Sequence, residues 1–424
     1  MASIIKSSSS AVIPAWFRAS MRQEDLARDV VTRGYISQIE KGNAMPSFEI
    51  ISKLAERLNC SITFLLEEEV PETVSLPPSI PAQLVRAEQY LENNLLNEFL
   101  NIIKSIEITE EEADLKAKQQ LLYARYYWLS NDMEKAHEYI EDVIQHAPPF
   151  DYDIRAKSYN LQGQILYRTN QLTEALKSFN NALLLTKQFT VDKLLYVDVL
   201  LNLGIFHCHL DEITSALTHL LEAQQINLQN SAFYKAGEIS MTMGVCYKKT
   251  GNWEEAKLQY EQSLLFFEQT NNKKLKAGSL LNLGILYKKI KNYDESLVYI
   301  EKSIESYSLL SDEEGLINSK LELAELYIDI QNIKEAEKIC NDFLHVNMNL
   351  DLKAQLNILI GRINSCNGNL AQALDHFFLA RTIYQQKQAH KKISELYVLI
   401  AEAYYHQKDF ETASYYYRQV LPTQ

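Results

Sequence analysis

A repeat of about 40 residues runs through the chain from residue 82 onward and constrains the fold more than any other feature. One slot of eight successive units holds a small residue: Ala124, Gly163, Gly204, Gly244, Gly284, Ala324, Gly361 and Ala401. A second small residue stands twelve positions after each: Ala136, Ala175, Ala216, Ala256, Ser296, Ala336, Ala373 and Ala413. Two antiparallel helices approach closely only where both backbones lack bulk, so this spacing predicts helical hairpins. Because a hairpin cannot bury its apolar face alone, the units are expected to stack into a solenoid.

The composition agrees with an all-α chain. Only 12 glycines and 9 prolines occur in 424 residues, and no stretch alternates apolar and polar residues as a strand would. That length exceeds one compact core. The five cysteines are scattered without a C-x-x-C pair, which is typical of free thiols in a reducing compartment. No run of 18 apolar residues occurs, so we expect a cytoplasmic protein without a membrane span.

The charge is unevenly distributed along the chain. The formal net charge is −13, yet residues 1–66 contain eight Lys and Arg against six Asp and Glu. We therefore expect any contact with nucleic acid to involve this N-terminal segment and not the acidic repeats.

Residues 21–42 have the pattern of two short amphipathic helices joined by a tight turn. Leu26 and Ala27 give the first helix an apolar face, and Ile36 and Ile39 give one to the second. Thr32 suits the N-cap of the second helix. This arrangement predicts a helix-turn-helix, whose second helix enters the major groove of DNA. A third helix is expected from Pro46–Ser47 to Leu58.

A proline-rich hinge separates the two parts of the chain. Residues 67–81 contain three consecutive glutamates together with Pro71, Pro77, Pro78 and Pro81, which favour extended chain. We therefore predict a DNA-binding domain at 1–66, a linker at 67–81 and a repeat domain at 82–424.

Both parts resemble known families. The stretches Gln-x-x-Leu-Ala at 23–27 and Tyr-Ile-Ser-Gln-Ile-Glu-Lys-Gly at 35–42 resemble the repressor-type helix-turn-helix family. A small residue at position 8, an apolar or aromatic residue near 17 (Leu172, Ile213, Trp253, Tyr293) and a small residue at 20 resemble a lengthened tetratricopeptide repeat. The resemblance implies a right-handed α-solenoid of about nine hairpins, counting a weaker unit near Ala87.

The combination of head, hinge and repeats resembles the RRNPP peptide-responsive quorum-sensing regulators of Gram-positive bacteria, and in length and repeat number their neutral-protease-regulator type. The resemblance implies a cytosolic, homodimeric transcription factor that is switched by a short signalling peptide in the concave groove of the repeats. One departure concerns the first helix of the head. Residues 12–16, Val-Ile-Pro-Ala-Trp, replace the usual Ile-Arg-x-x-Arg and leave only Arg18 near Glu40.

A second function also fits the resemblance. Some relatives use the repeat array as an interaction module that binds a phosphorelay response regulator and modulates its phosphorylation. Such an activity would not require the head.

In the second helix of the head, Thr32, Arg33, Tyr35, Ser37 and Gln38 are expected to face outward, because Ile36 and Ile39 face inward. A guanidinium can donate two hydrogen bonds to guanine O6 and N7, which makes Arg33 the strongest candidate for reading a base. In the family, the residue at Gln23 contacts a phosphate. Lys41 and Asn43 are further candidates for contacts with the DNA backbone.

The resemblance also implies which repeat positions face the groove, namely 2, 5, 6, 9, 12 and 13 of each unit. Asn160, Asn202 and Asn282 fall there, and an asparagine can pair with the backbone of an extended peptide. Lys248 and Lys288, with Lys249 and Lys289, are candidates for holding a peptide carboxylate. Glu322 and Glu325, with Asp329, are candidates for an amino terminus or a basic side chain. Lys157, Gln164 and Arg168 line an earlier unit. For every charged set, a solvated face is the alternative.

The last hairpin is rich in aromatic residues (Tyr404, Tyr405, Phe410, Tyr415, Tyr416, Tyr417), which predicts a homodimer surface. No enzyme, cofactor or metal site is expected. His207 and His209 are two residues apart and point to different sides of a helix, and no metalloprotease, phosphate-binding or nucleophile motif occurs.

Overall fold

The computed structural model describes residues 23–28, 30–40, 50, 53–54, 57, 79–109, 112–189, 191–230 and 232–420. Two compact units divide the chain, Met1–Gln83 and Leu84–Gln424. The helix predicted around residues 12–18 and residues 67–78 of the linker predicted at 67–81 lie outside the described residues. The end of that linker was predicted wrongly: a helix already begins at Ile80, and Pro81 fits its first turn, where the missing N–H has no helical partner to lose. Across the described ranges, no helix is both long enough and apolar enough to cross a membrane.

The first unit contains the two predicted helices, α1 (Gln23–Ala27) and α2 (Arg33–Glu40). Leu26, Ile36 and Ile39 are fully buried, as the apolar pattern predicts, and so is Leu54. The hydroxyl oxygen of Thr32 accepts a hydrogen bond from the Tyr35 amide at 3.2 Å, so Thr32 is the N-cap of α2.

The end of α1 is held by a residue distant in sequence. The guanidinium of Arg57 donates to the carbonyl oxygens of Leu26, at 3.2 Å, and of Arg28. These carbonyls have no partner within the helix, so Arg57 satisfies groups that the helix end leaves open.

The second unit consists of helical hairpins. Their helices are α3 (Ile80–Glu92), α4 (Leu96–Lys104), α5 (Ala113–Leu129), α6 (Met133–His146), α7 (Tyr152–Arg168), α8 (Leu172–Gln188), α9 (Lys193–His209), α10 (Ile213–Gln229), α11 (Ala236–Lys249), α12 (Trp253–Gln269), α13 (Lys273–Lys289), α14 (Tyr293–Leu309), α15 (Glu313–Asp329), α16 (Ile333–Asp342), α17 (Leu350–Cys366), α18 (Leu370–Gln386), α19 (His390–His406) and α20 (Phe410–Gln419). Odd-numbered helices open the hairpins and even-numbered helices close them. The described residues thus form nine hairpins, which confirms the all-α fold expected from the repeat.

The opening helices lie side by side. From α5 to α17, each opening helix contacts the opening helices of the neighbouring hairpins, whereas each closing helix contacts chiefly the opening helices on either side of it. The array therefore curves with its opening helices inside, as in other stacked helical repeats.

The small-residue slot is where the two helices of a hairpin meet. A Cβ at Gly204 would lie 2.6 Å from the Leu220 side chain, and one at Gly284 would lie 2.5 Å from Ile300 and 3.3 Å from the carbonyl oxygen of Ser296. The Ser296 hydroxyl donates to the Gly284 carbonyl at 2.8 Å. The two small positions therefore meet directly in this hairpin.

Each of the eight clear units reverses direction at one left-handed residue, seven positions after the small-residue slot. These residues are Asn131, Asn170, Asp211, Gly251, Lys291, Gln331, Gly368 and Lys408, with φ between 61° and 79°. The next residue caps the closing helix in several units; the Asn292 side chain, for instance, accepts from the Glu295 amide at 3.4 Å. Six of the eight carry a side chain despite the steric cost of this backbone region.

We predict opposite effects for two Gly→Ala changes on α13. Gly284→Ala should lower stability by about 1–3 kcal/mol, because the new methyl group meets backbone as well as Ile300. Gly278→Ala should be neutral or stabilising by up to about 1 kcal/mol, since its Cβ meets only the Tyr307 hydroxyl, at 3.3 Å, and alanine favours a helix. Thermal unfolding of the two variants measures this difference, and equal melting temperatures would contradict the packing account.

Candidate functional site

The N-terminal unit presents part of the predicted DNA-reading surface. Arg33 is exposed, and its Nη1 lies 3.0 Å from Oε1 of Glu24; the two side chains are 65% and 66% exposed. An ion pair this exposed is weak and is readily exchanged for another partner. Arg33 is therefore accessible at the N-terminal end of α2, the end of a recognition helix that reaches base edges in this fold class.

The other predicted DNA contacts differ in accessibility. Thr32 is exposed, although its hydroxyl already serves as the N-cap. Gln23, Tyr35 and Ser37 are half-buried. The side chain of Gln38, together with Lys41 and Asn43, lies outside the described residues, and these three stay predictions.

In the second unit, one face of the opening helices carries side chains that link each opening helix to the next. We call this face the inner wall; it is formed by α7, α9, α11, α13, α15 and α17. The predicted asparagines lie on these helices. The Asn202 Nδ2 donates to Oδ1 of Asn160 at 3.0 Å, which joins α9 to α7. Asn160 is nearly buried, at 6% exposure, so it positions Asn202. Asn282, on α13, is half-buried and makes no side-chain hydrogen bond to any described residue.

Lys288 carries a buried ion pair with the next opening helix. Its Nζ lies 2.7 Å from Oε2 of Glu322 and 2.7 Å from Oε2 of Glu325, and its side chain is only 4% exposed. Burial alone lowers the pKa of Lys288, but the two carboxylates outweigh burial and the net pKa shift is upward. Lys288, Glu322 and Glu325 thus neutralise one another within the wall, although the sequence analysis assigned the lysine and the two glutamates to separate ligand-binding sets.

The network extends into the following repeat through Arg362, which the sequence analysis missed. Arg362 Nη1 lies 3.0 Å from Oε1 of Glu325, and its Nη2 lies 2.8 Å from Oδ1 of Asp329. The Gln355 amide donates to Oε1 of Glu322 at 3.1 Å. Arg362 follows the small-residue slot directly, at position 9 of its unit, so counting positions would have found it.

Lys248 has no such partner. It is half-buried on α11, and it makes no hydrogen bond or ion pair with any described residue. Burial lowers the pKa of Lys248; Glu322 acts in the opposite direction, and the like charges of Lys289, Lys288 and Lys249 lower the pKa further. A half-buried ammonium without a counter-ion is costly to the fold.

The earlier units supply a different set of groups. The Arg168 guanidinium stacks over the Trp128 ring at 4.4 Å, a cation–π contact that joins α7 to α5. Lys157 forms a helical ion pair with Asp153 at 3.5 Å. Gln164 is half-buried and makes no side-chain hydrogen bond within the described part of the chain.

A cavity of about 620 Å³ opens beside the ion network. Most of its lining comes from four opening helices, α13, α15, α17 and α19, and includes Lys289, Asp329, Arg362, Leu399 and Glu402; Tyr293 and Phe377 of two closing helices complete it with the turn residues Lys291 and Gln331. A volume of this size accommodates several amino-acid residues and lies in the range of ordinary ligand pockets.

A long-range ion pair bounds the wall on one side. Asp211, in the turn between α9 and α10, binds Lys249 through Oδ1 at 2.7 Å and Lys391 of α19 through Oδ2 at 2.6 Å. Partial burial raises the pKa of Asp211, but hydrogen bonds from the two lysines outweigh it and the net pKa shift is downward. Since Lys391 lies 180 residues from Asp211, the ninth hairpin returns to touch the fourth.

The wall thus offers amide and ammonium groups to a ligand. Among the described residues, no cluster of three or more His, Cys, Asp or Glu side chains could hold a metal ion. Cys208, Cys246 and Cys340 are buried free thiols, and Cys366 is exposed. Burial raises the pKa of Cys340 to about 12, so this thiol stays protonated.

Two lysine variants should separate a structural from a ligand-binding charge. Lys288→Met leaves Glu322 and Glu325 without their shared partner and should destabilise the protein by on the order of 3 kcal/mol. Lys248→Met removes an uncompensated charge and should be neutral or stabilising. Urea unfolding of both variants measures the effect, and a loss of stability in Lys248→Met equal to that in Lys288→Met would refute the assignment.

Known family models match both the N-terminal segment and the repeat region of the chain. Residues 18–65 match the helix-turn-helix family model, and residues 156–189 and 277–308 match the tetratricopeptide-repeat model. No curated protein sequence matches the chain.

Solved structures share the repeat fold. The apo form of the quorum sensor NprR from B. thuringiensis superposes with a TM-score of 0.61 at 17% identity, over 80% of this chain and 97% of that one. A Rap protein in complex with competence and sporulation factor has a TM-score of 0.61 at 11% identity, over 80% and 96%. NprR in complex with its cognate peptide NprX has a TM-score of 0.54 at 17% identity, over 82% and 98%.

At such identities the likeness to solved structures establishes the fold. Together with the two family matches, it confirms the RRNPP resemblance at the level of domain content and architecture: the chain joins a helix-turn-helix segment to a tetratricopeptide-repeat solenoid of the kind seen in NprR and Rap proteins.

Proposed function

We propose that this protein is a DNA-binding transcriptional regulator whose repeat domain binds a short signalling peptide along the inner wall. Two observations carry the proposal. Lys248 is half-buried and Asn282, on the next opening helix, is half-buried too, and among the described residues Lys248 has no counter-ion and Asn282 has no hydrogen-bond partner. By contrast, Lys288 is paired with Glu322 and Glu325, and Arg362 is paired with Asp329. Unsatisfied polar groups in a concave face are expected where a ligand completes them.

An extended peptide suits the chemistry of these groups. The Asn282 amide offers both a donor and an acceptor to a peptide backbone, whatever the peptide's side chains are. Asn202, held by Asn160, offers the same chemistry two hairpins earlier. NprR and the Rap protein, which share the fold, are seen with a bound peptide and with competence and sporulation factor, respectively.

The N-terminal unit supports the DNA-binding half of the proposal. The helix-turn-helix match covers residues 18–65, and Arg33 is exposed at the N-terminal end of α2. A regulator of this kind would act in the cytoplasm, where its operator lies.

The second candidate is an interaction module that binds a phosphorelay response regulator. The Rap likeness, equal in TM-score to that of NprR, favours it. The helix-turn-helix match favours the first candidate, because an interaction module would not need a recognition helix. Removal of the head should therefore abolish function under the first candidate and spare it under the second.

We also propose that two copies associate through the last hairpin. Tyr405, Phe410, Tyr415 and Tyr417 are 44–58% exposed, and the first, second and fourth of them line a cavity of about 390 Å³. Tyr416 packs inward against Tyr404 and Tyr397 and belongs to the fold. A second copy is the expected occupant, because a twofold dimer presents two heads to two half-sites about one DNA turn apart.

The DNA-binding half is tested by selection from random double-stranded DNA. Wild type should enrich a defined sequence, and Arg33→Ala should bind it at least about tenfold more weakly, because the contact to a base edge is lost. Asn282→Ala is the control and should bind the DNA as wild type does. Equal binding by wild type and Arg33→Ala would remove Arg33 from the recognition surface.

The peptide-binding half is tested with an immobilised protein and a pool of random hexapeptides. Asn282→Ala should retain roughly two- to tenfold less peptide than wild type, since one side-chain hydrogen-bonding group is lost. Asn180→Ala, an exposed change on the closing helix α8, is the matched control. Equal retention by all three proteins would contradict a site on the inner wall.

The dimer is tested by light scattering. Phe410→Asp combined with Tyr417→Asp should convert a dimer to a monomer, because each change places a carboxylate in an apolar contact. Leu265→Asp, at an equally exposed position on α12, should leave the mass unchanged. A wild-type monomer, or a dimer that survives the double change, would refute this surface.

A further inference from the structure

Most ionised groups around Lys248 are paired within the protein. Four carboxylates are engaged: Asp211 by Lys249 and Lys391, Glu322 by Lys288 and Gln355, Glu325 by Lys288 and Arg362, and Asp329 by Arg362. A fifth, Glu402, lines the same cavity as Lys289 and makes no ion pair with a described residue. Lys248 and Lys289, on neighbouring opening helices, make no ion pair with a described residue, and neither does Lys291 in the turn after α13. The wall therefore holds a local excess of positive charge inside a chain whose net charge is −13.

The fold supplies only partial compensation for the ammonium groups of Lys248 and Lys289. Both lie in the last turn of their helices, α11 and α13, where the negative end of the helix dipole favours a cation. That interaction leaves the hydrogen-bond donors of each ammonium group unoccupied. Glu322 is near enough to affect Lys248, but its two oxygens already accept from Lys288 and Gln355.

We propose that Lys248 and Lys289 form a carboxylate-binding subsite on the inner wall, and that Lys288 is not part of it. This subsite rests on the proposed peptide-binding function and names a chemical feature of the ligand. The carboxylate is the C-terminus of the peptide or an acidic side chain. Lys288 instead links α13 to α15 through its ion pairs with Glu322 and Glu325. These carboxylates already neutralise its charge.

The position of the subsite relative to Asn282 constrains the ligand further. Asn282 and Lys289 are seven residues apart on α13, about 10 Å along the axis at 1.5 Å per residue. An extended peptide rises about 3.3 Å per residue, so roughly three residues separate the amide held by Asn282 from the bound carboxylate. This spacing fits a short linear peptide.

The test uses three pools of random hexapeptides presented to the immobilised full-length chain, with retained peptides counted by mass spectrometry. The first pool lacks Asp and Glu and has a free C-terminal carboxylate. The second lacks Asp and Glu and is C-terminally amidated. The third contains Asp and Glu and is amidated.

Wild type is expected to retain the first or the third pool about tenfold more strongly than the second, since a charge-assisted hydrogen bond is lost with the carboxylate. Preference for the first pool identifies the C-terminus as the source, and preference for the third identifies a side chain. Lys248→Gln should abolish the preference, and Lys248→Arg, which keeps the charge, should preserve it. Lys276→Gln is the matched control, because Lys276 lies on α13 and is paired with Glu268 at 2.7 Å.

Three results would overturn the subsite. A preference that Lys248→Gln leaves unchanged would place the carboxylate elsewhere. Equal retention of all three pools, reduced by Asn282→Ala, would refute the subsite while leaving the peptide-binding function intact. Retention of no pool by any variant would refute the peptide-binding function together with the subsite.

Discussion

The contact between small residues where the two helices of each hairpin meet is the constraint on which the rest of the repeat domain depends. At Gly284 the backbone of α13 comes close enough to α14 for the Ser296 hydroxyl to reach the Gly284 carbonyl at 2.8 Å. Larger side chains such as Leu220 and Ile300 then fill the space beside the slot. Because the slot glycine faces the closing helix of its own hairpin in five hairpins, successive opening helices fall side by side and create one continuous face. The polar groups that we assign to ligand binding lie on that face.

The charges of the inner wall divide into two classes with different consequences. Lys288, Glu322, Glu325 and Arg362 satisfy one another and tie three consecutive hairpins together. Lys248 has no such partner and reduces stability, which is common where a residue is retained for function. The ion pairs of Asp211 with Lys249 and Lys391 add a closing contact between the fourth and ninth hairpins. A ligand in the groove would therefore lie within an array whose hairpins are already mechanically linked.

The architecture could be predicted from sequence because its determinants are local and repeated. The spacing of Gly204, Gly244 and Gly284 fixed both the hairpin and its register, and the apolar pattern of Ile36 and Ile39 placed the helix-turn-helix. The left-handed turn residues were not predictable in the same way, because Lys291 and Gln331 occupy a position that usually favours glycine. The surrounding fold compensates for the backbone strain at these residues. The amino-acid composition of the turn does not reveal that a left-handed residue stands there.

The candidate site could be predicted only in part. Counting repeat positions predicted Asn282, Lys248, Lys288 and Glu322 on one face, and the structure brings Lys288 and Glu322 into contact. The sequence did not show that Lys288 and Glu322 pair with each other, because that depends on the offset between neighbouring helices. Two groups expected to bind a ligand are thus engaged within the protein.

The central claim is that an extended peptide lies against the opening helices. It is tested most directly by photo-cross-linking of the full-length chain with a benzophenone-bearing hexapeptide pool, followed by mass-spectrometric mapping of the labelled residues. The account predicts labels concentrated on α9, α11, α13 and α15. Labels concentrated on the closing helices, or spread evenly over the chain, would contradict it.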